Sequence, residues 1–144
     1  MKKLVFNTIA LLGLALFLMP STFAQEGIKH ENPQWKRVVM LDFHADKEKR
    51  AIEIIDEYFK VASKNAGTPG PEVMVDFETG EWDLMAIWGM SDGIESMNWV
   101  VSPNNQKWWA ALVKITGGEE EAEAIWAEYQ SCIARSSADL GLMD

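Results

Sequence analysis

The chain has 144 residues, 48% of them apolar, with 22 acidic against 13 basic side chains and a net charge of −9. So acidic a chain lacks the basic surface that nucleic acid or an anionic membrane requires, which excludes both as partners. Its single cysteine, Cys132, excludes an internal disulfide, so packing must hold the fold together.

Lys2 and Lys3 open the chain, followed by an apolar run over residues 4–19 and then Pro20, Ser21, Thr22, Phe23 and Ala24. This is the pattern of a signal peptide, residues 1–24, with Thr22 and Ala24 at the −3 and −1 places of the cut. The run is too short, and too soon followed by Pro20, to serve as a stable membrane span. No cysteine follows closely enough to accept a lipid. The mature chain is therefore expected to be periplasmic or secreted, with no membrane attachment after cleavage. It keeps 120 residues, one domain's worth, and 11 bases against 22 acids, a net charge of −11.

Residues 25–34 are polar, contain Pro33 and His30, and read as a flexible leader before a single domain at 35–144. WKRVVMLDFH, residues 35–44, is rich in β-formers and predicts a strand. Asp46 then has the chemistry of a helix N-cap. Ala51, Ile54, Ile55, Tyr58, Phe59 and Ala62 form one helical stripe, opposite Lys49, Glu53, Glu57 and Lys60. Gly67 and the TPGP run after it end that helix.

EVMVDF, residues 72–77, alternates as a strand, and Trp82 to Gly89 alternates again after a short glycine turn. The two predict a β-hairpin. Ser91 or Asp92 can cap a short helix reaching Val100. Ser102 before Pro103 restarts a helix with a capping hydroxyl and a proline at its first position. That helix carries Trp108, Trp109, Leu112 and Val113 and stops at Gly117. Thr116 with Glu119 has the spacing of a capping box for a last helix, expected over 119–135, whose first turns hold Glu119, Glu120, Glu121 and Glu123. Its buried stripe is Ala122, Ile125, Trp126, Tyr129, Cys132 and Ile133.

Strand, helix, hairpin, helices is the order of an α+β, ferredoxin-like sandwich: an antiparallel sheet with helices on one face. No obvious last strand follows; residues 138–143 (ADLGLM) are a thin candidate for one. WKRVVMLDFH, IEIIDEYFK, EVMVDFETGEWDLMAIW and NNQKWWAALVKI, taken together, resemble the dimeric α/β-barrel superfamily, which includes antibiotic-biosynthesis-type monooxygenases and NIPSNAP-like proteins. The resemblance covers roughly residues 35–135 and matches no catalytic signature. It implies a homodimer whose two sheets face each other, and it leaves the C-terminal helix as an extra element.

Alternation sorts strand side chains onto two faces. Val39, Leu41 and Phe43 oppose Met40, Asp42 and His44. Val73, Val75 and Phe77 oppose Glu72, Met74 and Asp76. Leu84, Ala86 and Trp88 oppose Asp83, Met85 and Ile87. If the apolar sets meet the helices, the other face gathers Asp42, His44, Glu72, Asp76 and Asp83 among Met40, Met74 and Met85. Methionines fill irregular apolar space while a few polar groups orient a ligand, so Met40, Met74, Asp76 and Met85 are expected to line a small-molecule site. Trp88 joins them if the parity of its strand is the other one. Asp42 and His44, two residues apart, can form an acid–base pair, or with Asp76 a set of metal ligands; no metal or cofactor is assigned. The plain alternative is a half-solvated face that these side chains keep soluble.

Seven tryptophans fit core and dimer-interface packing better than ligand stacking, because most fall on apolar stripes. Trp108 and Trp109 are adjacent on one helix and cannot both point inward, so one is expected at an interface or rim. Cys132 lies on a helical stripe as a buried thiol. The sequence thus describes an exported homodimer that binds a small apolar or amphipathic molecule between its sheets. A monooxygenase- or isomerase-like enzyme using His44 and Asp42, and a purely self-associating structural protein, are the alternatives.

Overall fold

A computed structural model of the chain describes residues 27–143; the signal peptide expected at 1–24 lies outside the described residues. Strand β1 (Gln34–Phe43) leads into a continuous helical stretch made of α1 (Glu48–Ile54), a π-helical turn (Ile55–Phe59) and α2 (Lys60–Ala66). The hairpin follows as β2 (Val73–Asp76) and β3 (Leu84–Gly89), then a 3₁₀ turn (Gly93–Asn98). Helices α3 (Pro103–Thr116) and α4 (Glu119–Cys132) precede the last strand, β4 (Ile133–Met143).

All pairings are antiparallel and the sheet order is β2-β3-β1-β4, the ferredoxin-like arrangement. The expected hairpin is present. The last strand is longer than its sequence suggested: β4 starts at Ile133, takes residues 133–135 that were expected in the last helix, and runs beside β1 for its whole length. Helix α4 is therefore followed by a strand and does not end the chain. Two helices stand between β3 and β4.

Local chemistry accounts for most helix ends. Gly67 closes α2 at φ 62° and Gly117 closes α3 at φ 100°, left-handed conformations that a glycine adopts without penalty. The Ser102 hydroxyl accepts a hydrogen bond from the Asn105 N–H at 3.1 Å, with Pro103 at the first position of the helix. Two expected caps do not form. Lys47, not Asp46, precedes α1, and it makes no side-chain cap. Gly118 precedes α4; the Thr116 hydroxyl turns back to the Leu112 carbonyl at 3.0 Å, while Glu119 accepts from the Trp109 indole at 2.8 Å.

The helices cover one side of the sheet. Leu41 and Phe43 from β1 and Leu84 from β3 pack with Ala51, Ile54 and Ile55, and with Tyr129 and Cys132 of α4. A second cluster lies among the helices: Ala62, Leu112 and Ala122, ringed by Trp108, Trp109 and Ile115. Tyr58 and Phe59, on the π turn, touch both clusters. Phe59 also meets Trp108 and Tyr129 edge-on at centroid distances of 5.3 and 4.9 Å, and its carbonyl accepts the Trp108 indole N–H at 3.2 Å. Trp108 and Trp109 are both half-buried, Trp108 turned to Phe59 and Trp109 giving its indole N–H to Glu119. Burying Ile54, Leu84 and Leu112 contributes about 1.5–3 kcal/mol each.

Candidate functional site

Residues directly opposite in a β-ladder share a face, so β3 decides which way β2 and β1 look. Leu84 and Ala86 are buried, and they pair with Leu41 and Val39 of β1. Val39, Leu41 and Phe43 accordingly lie under the helices, as expected. Met40 pairs with Met85 and Val38 with Ile87, on the side away from the helices.

The expectation for β2 is reversed. Its register sets Met74 against Ala86 and Asp76 against Leu84, so Met74 packs on the helix-side core and Asp76 leaves the open face. Val73 pairs with Ile87 and Val75 with Met85, and both valines join the open face instead. The apolar look of Val73 and Val75 pointed inward, but the hairpin register is set by the buried residues of β3. Trp88 pairs with Arg37 on the helix side and is partly exposed there, so it is also removed from the open face. Met40 and Met85 remain on it.

Asp42 and His44 do not form the expected acid–base pair. Asp42 is held by Arg135, its ladder partner on β4, at 3.5 Å. His44 has left the strand: its N–H donates to the Cys132 carbonyl at 2.9 Å, its carbonyl accepts from Lys47, and its side chain is exposed. Asp76 lies on β2, which β3 separates from β1. Among the described residues, no three His, Cys, Asp or Glu side chains are grouped to hold a metal, so the ligand set drawn from Asp42, His44 and Asp76 is not assembled. Asp83 has a structural task, accepting the Phe43 N–H at 2.7 Å where the β1–β3 ladder ends.

The open face is thus an apolar band of Val38, Met40, Val73, Val75, Met85 and Ile87, bounded by two ion-pair networks. At one end Lys36 donates to both oxygens of Glu72, at 2.9 and 2.7 Å. Lys36 is flanked in the ladder by Gly89 on β3 and Gly141 on β4. Glu72 fills the space a side chain at Gly89 would take, its Oε1 standing where that missing Cβ would reach. At the other end Arg135 donates to the Glu81 carboxylate at 2.6 Å and to the Glu81 carbonyl at 2.9 Å. Hydrogen bonding to Glu81 is the main cause holding the Arg135 pKa above its ordinary value. Lys36 to Asp42 spans about 20 Å along an extended strand.

Lys36, Arg135 and Glu81 were not singled out in the sequence. A lysine two residues before the apolar even positions Val38 and Met40 was the one available signal. Two surface depressions occur elsewhere, one lined by Tyr58, Ile115 and Ile125 and the other by Lys107, Ala111 and Lys114. Both lie among helices, and neither includes a residue expected in a site.

No protein-family model matches the chain, and no curated protein is similar to it in sequence. Solved structures are similar in fold. A NIPSNAP family protein of unknown function from Agrobacterium tumefaciens superposes with a TM-score of 0.52 at 9% identity, over 79% of this chain and 91% of that one. A second NIPSNAP family protein from the same bacterium gives 0.50 at 11% identity, over 82% and 92%. A dimeric ferredoxin-like protein of unknown function from Thermobifida fusca gives 0.38 at 11% identity, over 83% and 99%. The likeness is one of fold: an α+β, ferredoxin-like sheet of the kind found in NIPSNAP family proteins.

Proposed function

We propose that the mature protein is an exported homodimer whose two open sheet faces meet and enclose a small apolar molecule. The observation that carries this reading is the band of Val38, Met40, Val73, Val75, Met85 and Ile87 on the sheet side away from the helices. Six apolar side chains on the face turned away from the helices form a patch that water penalises, and a second copy is the simplest cover, since a two-fold axis makes the same patch self-complementary. The band is more apolar than its sequence suggested, because β2 supplies two valines in place of Met74 and Asp76. Met40 and Met85, paired across β1 and β3, provide adaptable lining. Export is supported by the signal pattern at 1–24.

Three measurements test this. The protein recovered from the periplasm or medium of an expressing bacterium should begin at Gln25. Light scattering on that form should give a dimer at micromolar concentration, and Met40→Asp, which places a charge in the band, should give a folded monomer; a monomeric wild type overturns the reading. The neutral dye N-phenyl-1-naphthylamine should bind the dimer with enhanced fluorescence. A dimer that excludes the dye leaves self-association alone as the role of the face.

A further inference from the structure

We infer that the enclosed face selects neutral apolar molecules and rejects anionic ones; this rests on the reading that a second copy covers it. The inference comes from the charges that the ladder sets on and around the band. Among the described strand residues only two bases stand there, Lys36 and Arg135, and each is already paired. Lys36 gives hydrogen bonds to both Glu72 oxygens, and its side chain is only 10% exposed. Arg135 is taken by Glu81 and Asp42. A fourth carboxylate, Asp139, pairs with Val38 in the ladder and accepts only the Ser137 hydroxyl, at 2.6 Å.

Glu72, Glu81, Asp42 and Asp139 therefore outnumber Lys36 and Arg135, and a symmetric partner would bring the same excess to the opposite wall. A fatty-acid carboxylate or a phosphate entering this space would find no available cation and four negative groups in a sheltered, low-dielectric setting. To recruit Lys36 it would have to displace Glu72, which sits over Gly89 where no side chain competes for the space. A neutral molecule meets only the apolar band.

Two dyes with the same aromatic frame test this: N-phenyl-1-naphthylamine and 8-anilinonaphthalene-1-sulfonate, which adds a sulfonate. Titrations of the mature dimer in 1 M salt, where the Debye length is about 3 Å, screen the overall net charge and leave the local charges. The neutral dye should bind at least tenfold more tightly than the sulfonate. Glu72→Gln, which frees Lys36, and Asp139→Asn should each narrow that gap. Val75→Phe, which fills the band, should weaken the neutral dye at least tenfold. Equal or tighter binding of the sulfonate overturns the selectivity and leaves enclosure standing. Unchanged affinity in Val75→Phe moves the dye off this face and overturns the assignment. Failure of both dyes to bind an intact dimer removes the ligand reading and the selectivity with it.

Discussion

The guanidinium of Arg135 lies 4.2 Å from the centre of the Trp82 ring, reaching from the outer strand β4 to the β2–β3 connection. On the way it passes Asp42 of β1 and binds Glu81 next to Trp82. One side chain thus ties three separate parts of the sheet end together, through a stacked cation and a forked pair of hydrogen bonds. It stands where the register shifts between Asp42 and Phe43, a place where the ladder itself is weak.

Arg135→Lys keeps the charge but loses the planar fork and the stacking. It should raise amide hydrogen exchange several-fold over residues 133–137 and leave the α1 amides unchanged. Unaltered exchange in that stretch would show that the pairing with β1 suffices without the Arg135 contacts.

Gly89→Ala and Gly141→Ala should differ in effect, although both glycines flank Lys36. A methyl at Gly89 meets the Glu72 carboxylate, which can swing away, but Lys36 then loses its partner. The loss should be about 1–3 kcal/mol by urea unfolding. Nothing lies within 4 Å of a methyl at Gly141, so alanine there should be neutral or stabilising by roughly 0.5–1 kcal/mol. Equal effects would deny the Lys36–Glu72 pair its importance.

Burial pushes the Tyr129 phenol from 10.0 up to about 12, with Cys132 acting in the same direction. The folded state therefore holds the proton more tightly than the unfolded chain. This contribution is fully present below pH 10 and is lost as pH rises from 10 towards 12, on the order of 2–3 kcal/mol. Tyrosinate absorbance in Tyr58→Phe, where Tyr129 is the sole tyrosine, should show the late titration. Tyr129→Phe should remove this part of the alkaline loss of stability.

Arg50 joins α1 to α4 by two hydrogen bonds to Glu128, at 2.7 and 2.9 Å. The hydrogen bonds from Arg50 hold the Glu128 carboxyl below its ordinary value of 4.5. A depressed carboxyl stabilises the fold above pH 4.5, and the effect fades as pH falls through the folded value. Both side chains are more than a third exposed, so solvent screening limits the pair to about 1 kcal/mol or less. The stability difference between wild type and Glu128→Gln should be constant near neutrality and shrink in acid. A difference that grows in acid would contradict the pairing.

The sequence by itself determined what local chemistry controls. β-former content marked β1, period-two runs marked the hairpin, the Ala51–Ala62 stripe and Gly67 marked the long helix and its end, and Ser102, Pro103 and Gly117 marked the ends of α3. Each signal is carried by residues within a few positions of each other. The tertiary structure alone decided β4, because Ala134, Arg135, Ser136 and Ser137 have weak strand preference and become a strand only through the β1 ladder. It also decided the composition of the open face. Alternation defines two faces on every strand but not which of them is buried, and for β2 that choice passes through its register with Leu84 and Ala86. Met74, Asp76 and Trp88 left the expected site for this reason, and Lys36, Glu72 and Arg135 became its boundary.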